Sequence, residues 1–380
     1  MAAPGAAPLQ VTLDAASNSG AAATHVLLTA ILRATDKVSD LIFSPGRPPQ
    51  VEVCGQLIPV EGSGLRQLSA DDTRRIASDL IGNNKQAITT LREQGSCDIS
   101  FGLPGLARFR VNVFIQRGSC AVVMRVISTT VPDFATLGLP PQLEEIANLR
   151  DGIVLVTGGR GSGKSSTLAA LLDRINEKQT CHIITIEDPI EFLHNHKRAT
   201  IHQRELHSDT PNFALALRAA LRQAPKVILV GELRDRETME MVLEAAETGH
   251  LVLSGLNAPD TSKTLERIVG AFPVAAQSSL RCRLAKALRY VISQRLIPRR
   301  DGGRVAILEI FKNTSRTVHH LECADSSGDA LLEVVKNGAS EGMQHFDGEI
   351  EKLVRAEIVE LEVALSYATD PQQLQRALRQ

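Results

Sequence analysis

Gly158-Gly159-Arg160-Gly161-Ser162-Gly163-Lys164-Ser165 matches G-x-x-x-x-G-K-[ST] at every fixed position. The apolar run Ile153-Val154-Leu155-Val156 precedes it, and Leu168, Leu171, Leu172 and Ile175 follow at helical spacing. Strand, glycine-rich turn and helix in that order are what a phosphate loop requires. Glycines let the backbone curl so that its N–H groups point at a phosphate chain, and the helix start adds partial positive charge. Lys164 is then placed to reach β- and γ-phosphates and Ser165 to hold Mg²⁺, with Ser166 completing the nucleotide-binding stretch. ATP and Mg²⁺ are the cofactors expected.

The rest of the chain is ordinary in composition. It has 380 residues, long enough for two cores, with 43% apolar and 22% charged residues. Lys and Arg number 42 against 43 Asp and Glu, a formal charge of −1, so no overall basic field points to nucleic acid and none is expected as a partner. Cys54, Cys97, Cys120, Cys181, Cys282 and Cys323 are scattered without a C-x₂-C pair, which argues against a zinc site and for free thiols in a reducing cytoplasm. No apolar run approaches the roughly 18 residues needed to cross a bilayer, so membrane association has to come through a partner or a surface contact.

Residues 1–22, rich in Ala, Gly, Ser and Pro, are expected to be a disordered extension. Region 23–130 reads as a smaller α+β domain. It has a helix from Thr24, a strand at 39–43, two strands around the turn Cys54-Gly55-Gln56, and a helix started by Ser69 with Asp72 three residues on. In the stretch 108–116, Phe109, Val111, Val113 and Ile115 share one strand face, while Arg108, Arg110, Asn112 and Gln116 give the other a basic character. Residues 131–150 read as a linker carrying a short helix. Region 151–380 alternates strands (153–157, 182–187, 227–231, 251–256) with helices, the pattern of a largely parallel α/β sheet. A long helix is expected from Pro273 to about Gln294, and helical segments close the chain.

Splitting a phosphoanhydride needs a metal clamp, a group to orient or deprotonate water, and stabilisation of charge on the γ-phosphoryl. Three later strand ends offer candidates. Thr185-Ile186-Glu187-Asp188-Pro189-Ile190-Glu191 gathers three carboxylates where a strand leaves the sheet, although such a string alone also fits a solvated acidic turn. Val227-Ile228-Leu229-Val230-Gly231-Glu232 is an apolar strand ending in an acid, as on the metal side of phosphate-loop ATPases. Gly231 stands where an aspartate is usual, leaving Glu232 to act on Mg²⁺ directly or through water. Gly249-His250-Leu251 puts a histidine at the start of the next strand, where a lone His more often packs or lies at the surface.

Together these segments resemble the secretion and pilus ATPases, and among them the retraction branch. Thr185 to Glu191 is similar to the family's aspartate box, Val227 to Glu232 to its second phosphate-site strand, and Ala245-Ala246-Glu247-Thr248-Gly249-His250-Leu251 to its histidine box. The resemblance implies a RecA-like motor domain with a smaller PAS-like N-terminal domain, in a homo-hexameric ring that drives type IV pilus retraction and twitching motility. By the same resemblance Glu191 is the general base, Glu232 the metal-side acid and His250 a γ-phosphate sensor. Arg117 and Arg125 are similar to paired arginines that approach the phosphates; on residues alone they also fit a solvated basic face. The implied location is the cytoplasmic face of the inner membrane, with the pilus platform protein and a paralogous retraction ATPase as further partners. An accessory, weakly hydrolysing ring subunit and a type II secretion ATPase are the alternatives. The chain departs from the retraction pattern at Asn257, where a histidine is usual, at Ala224-Pro225-Lys226, and at 315–321 near the C-terminal signature.

Overall fold

The computed structural model describes residues 7–12, 21–35, 37–62, 65–127, 130–322 and 328–379. The chain divides into two compact units, Met1–Thr129 and Thr130–Gln380.

The first unit holds β1 (Leu9–Gln10), α1 (Ala21–Ala34), β2 (Val38–Phe43), β3 (Gln50–Val53), β4 (Gln56–Glu61), α2 (Ala70–Ile81), α3 (Lys85–Gln94), β5 (Ser96–Leu103), β6 (Ala107–Gln116) and β7 (Ser119–Ile127). Its sheet runs in the order β1-β4-β3-β2-β7-β6-β5, antiparallel except where β1 lies parallel to β4. Ser69 caps α2 in a full capping box with Asp72, as its sequence indicates. Phe109, Val111 and Val113 are fully buried, but Ile115, placed by alternation on the same face, is exposed near the end of β6. Part of the extension expected to stand outside the fold belongs to it. Leu9 and Gln10 pair with Val60 and Glu61, and Val11 is buried. Residues 1–6 and 13–20 of that extension lie outside the described residues.

The second unit opens with α4 (Phe134–Leu137) and a 3₁₀ helix, Pro141–Asn148. This is the stretch read as a linker, yet Leu139, Leu143, Ile146 and Ala147 are buried in the core of the second unit. Its prolines break regular structure without making it a spacer. There follow β8 (Gly152–Thr157), α5 (Lys164–Lys178), β9 (His182–Glu187), β10 (Thr200–Glu205), α6 (Phe213–Ala220), β11 (Val227–Glu232), α7 (Arg236–Glu247), β12 (Leu251–Leu256), α8 (Thr261–Gly270), α9 (Val274–Ala287), β13 (Leu288–Pro298) and β14 (Arg304–Lys312). The helices α10 (Val318–Glu322), α11 (Gly328–Asn337), α12 (Phe346–Arg355), α13 (Leu361–Tyr367) and α14 (Pro371–Ala377) end the chain.

The second sheet runs β10-β9-β11-β12-β8-β13-β14, parallel except for the edge hairpin β13–β14. This is the expected largely parallel α/β architecture. One element differs: the helix after Pro273 stops at Ala287, and 288–298 is a strand. Leu288, Tyr290, Val291 and Ile292 are all buried because β13 lies inside the sheet with helices on both faces. The short apolar run Tyr290-Val291-Ile292 carries no two-residue alternation, so periodicity cannot tell it from a buried helix.

Candidate functional site

In a parallel sheet the carboxyl ends of the strands open into a crevice. Here the ends of β8, β12, β11 and β9 are neighbours, and the chain leaving each carries a polar group. The crevice is a cleft of about 580 Å³ lined by Arg160, Lys164, Ser165, Glu191, Glu232 and Asn257 among others.

The loop after β8 enters α5 through Gly163 at φ 89°, in the left-handed region. That conformation favours glycine, and a Cβ there would displace the Gln294 amide, which it would meet at 2.7 Å. Lys164 curls back over the loop. Its ammonium donates to Gly158 O at 2.9 Å, Gly159 O at 2.8 Å and Asn257 Oδ1 at 2.9 Å. Partial burial lowers its pKa, against the pull of Glu232 and Glu191. Among the described residues Ser162 Oγ is buried without a hydrogen-bond partner.

The acids arrive from the neighbouring strands. Ser165 Oγ donates to Glu191 Oε1 at 2.9 Å, joining the loop to the aspartate-box segment. Glu187, at the end of β9, accepts from Thr185 Oγ1 at 2.6 Å and Gln203 Nε2 at 3.1 Å, and burial raises its pKa. A β-bulge at Gly231 shifts the β11 register so that Glu232 pairs with Gly255. A Cβ at Gly255 would lie 2.7 Å from Gly231 O, so the bulge needs a neighbour without a side chain. Glu232 Oε1 accepts from Asn257 Nδ2, and its Oε2 accepts from Arg234 Nε at 2.9 Å. Arg234 also donates to Asp188 Oδ2 at 2.8 Å.

Among the predicted residues, Gly158, Gly159, Arg160, Gly161, Ser162, Gly163, Lys164, Ser165 and Ser166 form the loop and the helix start, with Glu191 and Glu232 facing them. His250 is elsewhere. It precedes β12, its carbonyl accepts from Gly152 N at the start of β8, and its Nδ1 meets Ala245 O at 2.9 Å. The six residues of β12 therefore separate it from the crevice, about 20 Å at roughly 3.3 Å per residue. The position that reaches the crevice is Asn257, at the other end of the same strand. Arg117 and Arg125 belong to the first unit. Arg117 forms the β6–β7 turn with φ 47° and is exposed, and Arg125 donates to Asp40 Oδ1 at 2.9 Å.

Asn257 was visible in the sequence only as a departure, and Gln294 not at all, having been assigned to a helix. Gln294 Nε2 donates to Ser162 O at 2.7 Å and its Oε1 accepts from Thr167 Oγ1 at 2.6 Å, bracing the loop from β13. The donors facing the crevice suit the expected cofactors. An inward-curled glycine loop with a lysine fits a phosphate chain, and the hydroxyl of Ser165 with the carboxylates of Glu191 and Glu232 is an all-oxygen set fit for Mg²⁺.

Comparison with known proteins agrees with this geometry. Residues 71–352 match the family described as type II/IV secretion system protein. The chain is 41% identical to the type IV pilus retractation ATPase PilT of Pseudomonas aeruginosa, over 88% of this chain and 95% of that protein. It is 36% identical to the type IV pilus ATPase PilU of the same organism, over 90% of this chain and 88% of PilU. A crystal structure of the pilus retraction motor PilT with bound ADP superposes with a TM-score of 0.80 at 38% identity, covering 93% of this chain and 98% of that one. The chain belongs to the type II/IV secretion system protein family.

Proposed function

We propose that this chain is the ATPase of a type IV pilus retraction motor, working as a homo-hexameric ring on the inner-membrane pilus platform. What carries the chemical part is one continuous set of contacts. It runs from Glu191 through Ser165 into the phosphate loop, and from Lys164 through Asn257 to Glu232.

In this reading Lys164 exchanges the carbonyls of Gly158 and Gly159 for phosphate oxygens. Ser165 and Glu232 would hold Mg²⁺, whose charge would offset that of the phosphates. Glu191, hydrogen-bonded to Ser165 and therefore beside the metal position, orients and deprotonates the attacking water. Arg234 ties Glu232 to Asp188, so that the metal-side acid and the aspartate box move together. The retraction assignment is supported by similarity to PilT across nearly the whole length of both chains. Among the described residues no helix is long and apolar enough to cross a membrane.

ATP turnover by the purified protein, measured beside Lys164→Ala, tests the enzymatic part. Equal rates in the two proteins sink it. A deletion strain that still retracts its pili and twitches normally sinks the retraction part.

A further inference from the structure

We infer that Asn257 is a positioning residue which stands between Lys164 and Glu232 and keeps them from forming an ion pair. The inference rests on the ATPase reading above and assigns this chain's own residue a part in it.

β12 lies between β8 and β11, so the residue leaving its carboxyl end stands between the phosphate loop and the metal-side acid. Asn257 is that residue. Its Oδ1 accepts from Lys164 Nζ at 2.9 Å and its Nδ2 donates to Glu232 Oε1. The two contacts fix the orientation of the carboxamide. Turned over, it would set an NH₂ group against an ammonium and an oxygen against a carboxylate. The backbone is held as well, because Arg267 Nη1 donates to Asn257 O at 2.7 Å and Ala258 N to Leu256 O at 3.1 Å.

All three donors of the Lys164 ammonium thus end on neutral oxygens, and among the described residues it makes no direct ion pair. The charge is left to be used. Without the carboxamide the cation and the Glu232 carboxylate face each other across a partly buried gap, where opposite charges attract more strongly than in water. A Lys164–Glu232 pair would occupy the phosphate-binding cation and the metal-binding acid together. Nucleotide would then have to break that pair in order to bind.

The test is equilibrium binding of a fluorescent ATP analogue to the full chain in EDTA, where the role of Glu232 toward metal is silent. Asn257→Ala is expected to weaken binding about tenfold or more, and the Asn257→Ala/Glu232→Gln pair to recover most of that loss, with Glu232→Gln alone as the baseline. A deletion of packing alone would not be repaired by neutralising a neighbour. Asn257→Asp keeps the size of the side chain and covers the case in which alanine fails to fold. Its carboxylate should capture Lys164 directly and weaken binding as well, and wild-type affinity in Asn257→Asp overturns the inference. Wild-type affinity in Asn257→Ala, or no recovery in the double variant, overturns the inference. If Lys164→Ala loses binding while Asn257→Ala does not, this inference alone fails; if Lys164→Ala also binds normally, the ATPase reading fails with it.

Discussion

Gln294→Leu is the substitution whose cost can be worked out most directly. Gln294 is 3% exposed, and its carboxamide serves Ser162 O at 2.7 Å and Thr167 Oγ1 at 2.6 Å. Leucine is close in size and apolar, so the loss is polar rather than a cavity. Each buried group left without a partner costs about 1–3 kcal/mol. The Thr167 hydroxyl can rotate toward a backbone carbonyl of its own helix and recover part of this, while the Ser162 carbonyl is fixed in the loop. The sum is about 2–4 kcal/mol. At roughly 2–4 °C per kcal/mol for a unit of this size, the melting temperature should fall by on the order of 5–15 °C. Differential scanning calorimetry without nucleotide reads it. Thr167→Val supplies the control: added to Gln294→Leu it should cost less than on its own, because the partner is already gone. A melting temperature unchanged to within about 1 °C, or full additivity of the two substitutions, refutes the bracing role.

Three other outcomes follow from the same structure. Burial raises the pKa of the Glu309 carboxyl, Asp260 adding to the effect while hydrogen bonds from Thr261 and the charge of Arg295 oppose it. The folded chain therefore keeps a proton that the unfolded chain releases, and stability falls as pH rises from the ordinary carboxylate range through the raised value. Glu309→Gln keeps an oxygen for both Thr261 contacts, so its melting temperature relative to wild type should climb between pH 4 and 8; a constant difference refutes this. Leu143→Ala, in the stretch read as a linker, should cost about 2–5 kcal/mol in urea unfolding because Leu143 is fully buried, whereas a true spacer would lose almost nothing. His250→Ala should leave the nucleotide affinity of the single subunit within about twofold of wild type, and a loss of about tenfold or more contradicts its placement at the opposite end of β12 from the cleft.

The sequence made the phosphate loop legible because its requirements are local. The turn, the lysine and the hydroxyl lie within eight consecutive residues, from Gly158 to Ser165, and strand and helix flank them. Glu191 and Glu232 were legible for a related reason, since all strands of a parallel sheet end on the same side of it, so acids that follow them lie on the side of the phosphate loop whatever the strand order. The two carboxamides were not. Asn257 touches Lys164 only because β12 happens to lie beside β8, and Gln294 touches Ser162 only because β13 lies on the other side. Strand order is a property of the whole sheet and leaves no mark on either residue. His250 shows the converse, because motif similarity marked the segment while chain direction decides which end of β12 opens into the crevice.

That order gives the loop a symmetry of support. The chain leaving β8 is held from the β12 side by Asn257 on Lys164, and from the β13 side by Gln294 on Ser162 and Thr167. Both braces are neutral amides able to donate and accept, so they set the positions of a cation, a carbonyl and a hydroxyl without changing the charge of the loop. A carboxylate in either place would compete with phosphate for Lys164 or repel it, and a cation would draw Glu232 and Glu191 away from the metal position. An apolar residue would leave buried polar groups unpaired. Asn257 is therefore read as a working part of the phosphate site and not as a lesion in a histidine motif. Lys164 and the arginines Arg160, Arg234 and Arg267 line the same cleft, so cationic side chains are present there without a histidine at this point.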